Sequence, residues 1–283
     1  MPKLIPYILL TFLALSTITS CRKVYDYIRD HPDGHDSVCR VIRLSFGSPD
    51  TNHLNYGTPQ IGITYNAKGN PVDMDLLNIL PPYYALAQHF RYDRFDRLTD
   101  YISNYTGGPD PIPYKPSAVL WHKYGYPRPN IITDTFFTYT STPWDAPPPN
   151  AEPGQTIYVY KFDAAGKMIA TAETTNSPNQ PPPAFAPIAY DARGNRDLSG
   201  YGVKYDSAVN VYRTNKVWQL VYGDYSRNNP TRTGTSPTNQ FGLPTYLPMF
   251  DLAPVPSFRQ YFTYSYDYYI YYACAMPKGP TSY

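Results

Sequence analysis

The chain has 283 residues, a formal net charge of +2 at pH 7, and unusually many tyrosines (31) and prolines (32). Charge this close to balance, with Lys and Arg scattered among Asp and Glu, gives no electrostatic basis for a nucleic-acid partner. So many aromatics exclude simple disorder, and so many prolines with few long apolar periods at helical spacing exclude a helical bundle, which leaves strands and long loops.

Residues 1–20 read as a signal peptide: Lys3 gives a small positive start, and Leu4 to Ile18 is an apolar stretch of secretory length. That stretch is shorter than the roughly 20 apolar residues a bilayer span takes. Ile18, Thr19, Ser20 and Cys21 then resemble a bacterial lipobox, in which a branched residue and two small ones precede a cysteine that takes lipid on its sulfur. Buried methylenes add about 0.8 kcal/mol each, so several acyl chains hold a protein durably where one does not. An ordinary secreted protein with a chance cysteine is the alternative, and it leaves the agreement of signal, small residues and cysteine unexplained. Removing residues 1–20 takes away only Lys3 among charged residues and leaves 263 residues with a net charge of +1. Residues 21–37 form the lipidated tether and 38–283 a single β-rich repeat domain. In the tether, His31 and His35 lie among carboxylates in "HPDGHDS", but Pro32 and Gly34 make this a turn, and no metal site is assigned.

Two further cysteines lie in strand-like runs at opposite ends of the domain, Cys39 in "SVCRVIRLSF" and Cys274 in "YYIYYACAMP". An oxidising envelope permits them to bridge, and two separately buried thiols are the alternative. Between them one pattern returns: "ITYNAKGNP" at Ile63, "FRYDRFDRL" at Phe90, "VYKFDAAGKM" at Val159, "IAYDARGNR" at Ile188 and "VKYDSAVNV" at Val203. An aromatic closes a strand, Asp or Asn caps a turn, and Gly or Asp sits where φ turns positive before the return strand: the pattern predicts β-hairpins. A shortened copy begins at Tyr124 in "YGYPRPNII". Proline-rich stretches from Ser141, Asn176 and Ser226 read as long loops. In "RQYFTYSYDYYIYY", from Arg259, side chains alternate until the phase slips at Tyr268 and Tyr269, which predicts a bulge or bend there. The predicted fold is all-β: an open antiparallel sheet meander of repeated hairpins.

These segments resemble the tyrosine-aspartate (YD) repeats of large bacterial shell proteins. More closely, "ITYNAKGNPV", "FRYDRFDRLTDYI", "YDARGNRDLSGYGVKYDSAVNVYRTNKVW" and "DYSRNNP" with "GLPT" resemble a family of uncharacterised Bacteroidota-type lipoproteins over most of residues 60–247. The resemblance implies an extracytoplasmic β-rich lipoprotein and carries no established activity. The repeats are too few to enclose a cargo, so the shell role is not transferred. Surface-export signals in such lipoproteins are acidic after the lipidated cysteine, whereas Arg22 and Lys23 stand there, which points to the periplasm-facing side of the outer membrane, with exposure at the cell surface the alternative.

No G-x-S-x-G elbow, H-E-x-x-H, phosphate loop or dinucleotide fingerprint occurs. Asp93 with Asp96, and Asp191 with Asp206, are carboxylate pairs of the kind glycoside hydrolysis uses, but the repeat already assigns most of them to turns. Aromatics are the better lead: Trp144, Trp121 and Tyr124 are the candidate platform for sugar rings, while Trp218, alternating with Val and Leu in "NKVWQLVY", reads as a core strand residue. The expectation is a non-enzymatic, cofactor-free lipoprotein joined to the membrane by its lipid. Its role is contact with an envelope protein, or, alternatively, glycan binding for nutrient capture.

Overall fold

In a computed structural model, residues 39–46, 60–77, 85–106, 118–139, 155–176, 182–231, 235–247 and 268–274 are described. The predicted signal peptide, Cys21, the His31/His35 turn and Trp144 lie outside them. The order is β1 (Cys39–Phe46), β2 (Gln60–Tyr65), β3 (Pro71–Leu76), β4 (Ala85–Tyr92), β5 (Leu98–Thr106), β6 (Ala118–Arg128), β7 (Ile131–Tyr139), β8 (Thr156–Phe162), β9 (Met168–Thr175) and β10 (Ala186–Pro187). An insert follows, built from β11 (Lys204–Val209), the helix α1 (Lys216–Tyr222) and β12 (Asn228–Thr231), before β13 (Tyr246–Leu247) and β14 (Tyr268–Cys274).

Twelve strands form one open antiparallel sheet in the order β10-β9-β8-β7-β6-β5-β4-β3-β2-β1-β14-β13, and β11 and β12 pair separately. The predicted meander therefore runs from β1 to β10. The last strand then returns to lie beside the first, Cys39 opposite Cys274 and Phe46 opposite Tyr268. Of the run from Arg259 only Tyr268 onward is described, and there Tyr268 and Tyr269 pair in regular register with Phe46 and Ser45 rather than at the predicted bulge or bend. The irregularity lies on β1, between Val41 and Arg43, where Ile42 is left over and 41% exposed.

Five turns repeat one geometry. Asn66, Asp93, Asp163, Asp191 and Asn239 each accept, through a side-chain oxygen, the amides two and four residues on, at 2.8–3.1 Å. In each turn the amide of the fourth residue also donates to the carbonyl of the first. That fourth residue has φ between 61° and 87° and is Gly69, Asp96, Gly166, Gly194 or Gly242, a region where only glycine escapes the Cβ penalty. The predicted copy at Val203 is not one of them. Asp206 lies within β11, 4% exposed, accepting the amides of Ala208 and Asn229 at 3.0 and 3.2 Å. The fifth turn is instead Asn239 to Leu243, in the segment read as a proline-rich loop.

Tyrosines bind successive units to one another. The hydroxyls of Tyr92, Tyr126, Tyr190, Tyr205 and Tyr272 donate to the carbonyls of Pro71, Leu98, Met168, Arg196 and Pro244 at 2.6–2.8 Å. Each of those carbonyls stands five residues after the capping Asp or Asn of the turn before it. Burial pushes the phenols of Tyr92, Tyr190, Tyr205 and Tyr272 well up from their ordinary value, so they remain donors. Cations cover several of these rings, with Arg97 4.6 Å from the Tyr126 centroid and Lys167 3.4 Å from that of Tyr190.

The insert covers one face of the sheet. Val211, Val217, Trp218, Leu220, Val221 and Tyr222 join strand residues as far apart as Val41 and Met168 in a single apolar cluster. "NKVWQLVY" is thus helix, not the predicted strand: the Asn215 side chain caps it by accepting the Val217 amide at 2.8 Å, and Gly223 ends it at φ 66°. Seven residues are too few to hold a helix alone. Burial of Val217, Trp218, Leu220, Val221 and Tyr222 supplies the rest.

Candidate functional site

The carboxylates that suggested hydrolysis are engaged elsewhere. Asp93 and Asp191 hold turn amides, as described. At Asp93, burial acts upward but the Arg97 amide and guanidinium and the Phe95 amide outweigh it, holding the carboxyl below its ordinary range. At Asp191 the Asn195 and Arg193 amides prevail over burial in the same way. Asp96 pairs with Lys68. Asp206 holds the Asn229 side chain and amide inside the insert. None of these pairs faces across a cleft.

The platform assigned to Trp121 and Tyr124 is not formed, and this corrects the sequence reading. Trp121 is 2% exposed, packed with Ile102 and Phe137, and its indole donates to Asp100 at 2.9 Å. Tyr124 is 5% exposed and lies in the core against the insert. Both sit on β6, near the middle of a sheet buried on both faces there. Three residues apart on a strand, they point to opposite sides and cannot build one surface. Trp218, 3% exposed, packs edge-on against Phe90 at 5.4 Å, a core residue as expected although in a helix.

Two His–Asp pairs emerge that the sequence did not single out. His122 Nδ1 lies 3.0 Å from Asp134, whose other oxygen accepts the Tyr160 hydroxyl at 3.1 Å, and all three are buried. On the opposite face, His89 Nδ1 lies 2.6 Å from Asp73, which also accepts from Thr64 at 3.3 Å. Asp75 stands two residues on, its carboxyl raised by burial, pulled back by His89 and raised again by Asp73. The signal for this row was the alternation in "PVDMDL", which puts Asp73 and Asp75 on one face and Met74 on the other. Among the described residues no three His, Cys, Asp or Glu side chains are grouped to hold a metal. An apolar cavity of about 50 Å³ lies between the insert and β1, lined by Val41, Leu44, Met74, Tyr212, Trp218 and Ile270. Ligand pockets are usually about 300 Å³ or more, so this is a packing void.

What the fold does assemble is a rim. In the meander the even strands run toward one end, so all five tight turns lie there, together with the start of β1 and the finish of β14. At that end a disulfide joins Cys39 to Cys274 across 235 residues of sequence. Of the two alternatives for these cysteines, the structure forms the bridge. The bridge thus fastens the first residue of β1 to the last of β14. No family model matches this chain, and no curated protein does either. Among the described residues no helix is long and apolar enough to cross a membrane.

Proposed function

We propose that this protein is an acyl-anchored lipoprotein of the outer membrane, facing the periplasm, with a non-catalytic role: it holds a rigid antiparallel sheet at the membrane for contact with another envelope component. The observation that carries this reading is how the tether meets the fold. β1 is an interior strand, paired with β2 on one side and over seven positions with β14 on the other, and its first residue is disulfide-bonded. Tension on a lipid at Cys21 then loads two neighbouring strands and a covalent link, where an edge strand would peel away one hydrogen bond at a time. Fractionation of cells carrying wild-type protein or Cys21→Ala tests it. After a high-salt wash, wild type is expected with the membranes and the variant in the soluble envelope fraction. Membrane retention unchanged by Cys21→Ala would refute the anchor.

A further inference from the structure

We infer that the turn rim is itself a membrane-contact surface, which rests on an anionic phospholipid leaflet around the lipid anchor. The inference takes its orientation from the anchored reading above and adds a second attachment to it.

Three observations meet at this rim. First, β1 begins there, so the tether leaves the fold on this side. Second, its outer surface is cationic. Lys68, Arg94, Arg97 and Arg193 occupy the turns, Arg128 stands at the tip of the β6–β7 hairpin, and the Arg40 guanidinium lies against Gly69. The Lys68, Arg97 and Arg193 side chains pair with Asp96, Asp93 and Asp191 and are still 63%, 47% and 63% exposed, and Arg40, Arg94 and Arg128 add positive charge beyond these pairs. The acidic residues of the same rim are engaged: Asp93, Asp163 and Asp191 each hold two turn amides, Asp96 pairs with Lys68, and Asp197 is bound by the hydroxyl and amide of Ser199 at 2.7 and 3.1 Å. Their charge is drawn toward the backbone while the longer cationic side chains reach outward.

Third, the rim carries Phe95 at a turn tip. At 62% it is the most exposed large apolar side chain among the described residues. Arg94 and Arg97 stand 4.7 and 5.3 Å from its ring. An aromatic ring flanked by guanidinium groups suits the headgroup layer, where the ring enters the acyl boundary and the cations stay at phosphate level. At the matching position the other four turns carry Lys68, Ala165, Arg193 and Phe241, and Phe241 is part-buried, so the exposed ring belongs to this turn and not to the repeat.

The partner is identified by chemistry: a fluid surface of phosphate-bearing lipids, which accepts scattered cations without a matched geometry. Each Lys or Arg near such a surface strengthens partitioning about fivefold, an effect that falls off within a Debye length. The test uses purified full-length chain carrying Cys21→Ala, so no acyl chain is present and any binding by the N-terminal apolar stretch is common to every variant. Co-sedimentation compares phosphatidylcholine vesicles with vesicles containing phosphatidylglycerol, at low and high salt. The expected result is tighter, salt-sensitive binding to the phosphatidylglycerol vesicles. The triple variant Lys68→Gln/Arg94→Gln/Arg193→Gln is expected to lower that binding about a hundredfold. Phe95→Ala is expected to weaken it further in combination, and Lys123→Gln, on the exposed side of β6 away from the turns, to leave it unchanged. Thermal melting of each variant verifies the fold. Equal binding to both vesicle types, or binding of the triple variant equal to its parent, overturns the inference. Either outcome leaves the anchor reading standing, which falls only if Cys21→Ala stays with the membranes of cells after a high-salt wash, which removes electrostatic binding by the rim.

Discussion

Breaking the Cys39–Cys274 bridge tests the seam on which the anchored reading depends. The cysteines are 235 residues apart, and closing a loop of that length removes denatured-state entropy equivalent to about 5 kcal/mol, with measured losses for native bridges at about 2–5 kcal/mol. The folded state should survive the cut, because β1 keeps its ladder to β2 and its seven pairs with β14. The effect therefore falls on the unfolded chain. Urea unfolding of oxidised protein, reduced protein and the Cys39→Ala/Cys274→Ala variant, followed by tryptophan fluorescence, separates the contributions. Trp121 and Trp218 are 2% and 3% exposed and report loss of the two faces of the sheet. Reduction keeps the buried sulfur volume and isolates the cross-link, whereas the double alanine variant adds the truncation at Cys39, 1% exposed. The expected result is a lower midpoint and a steeper slope on reduction, since an uncrosslinked chain exposes more surface when unfolded. Coincident midpoints for oxidised and reduced protein would refute the reasoning.

Asp163→Ala removes the carboxylate oxygen that accepts two amides, those of Ala165 and Lys167 at 2.9 Å each, and is expected to cost about 1–2 kcal/mol by chemical denaturation. Asp163→Asn should cost much less, because Asn66 and Asn239 fill the same role. Gly166→Ala meets no atom within 4 Å but fixes a side chain at φ +78°, so a loss of about 1 kcal/mol from backbone strain alone is expected in the same assay. For pH, Asp93, Asp191 and Asp197 sit below their ordinary value when folded. The stability they contribute is therefore complete above the unfolded value of about 4 and is lost as pH falls through the folded values. Melting temperature should decline below about pH 4, and Asp93→Asn/Asp191→Asn should flatten that decline; an unchanged slope would remove these turns as its cause.

The turns were legible because their chemistry is local. Asp or Asn at the first position and a residue tolerant of positive φ at the fourth are three residues apart in sequence. Applied strictly, the fourth position also explains the one false match. Three residues after Asp206 stands Val209, a β-branched side chain that strongly resists positive φ, whereas Asn239 is followed by Gly242 at φ 73°. Proline-rich surroundings and the absence of a preceding aromatic concealed that fifth copy. Strand parity would have separated Trp121 from Tyr124, which differ by an odd number of residues. In "NKVWQLVYG" the apolar residues fit either period, and Asn215 and Gly223, a capping pair eight residues apart, were the deciding signals. The His122–Asp134 and His89–Asp73 pairs were not legible, since each arises from cross-strand register.

The insert explains why the rim holds a fixed shape. A wide open sheet twists and needs one face covered for stability, and the insert covers one through the shared apolar cluster. It reaches the turns at the residue that lacks a Cβ: Asn215 donates to the Gly69 carbonyl at 2.9 Å, and the Val209 amide to that of Gly242 at 3.0 Å. At Gly194 the Arg227 Cβ would stand 3.9 Å from an added methyl, and Lys167 donates to the carbonyl at 3.1 Å. The positive φ that closes each of these turns also directs a carbonyl to a neighbouring donor. Substitution there strains the hairpin and disturbs its attachment together, so the cations outside and the core inside are coupled through the same few glycines.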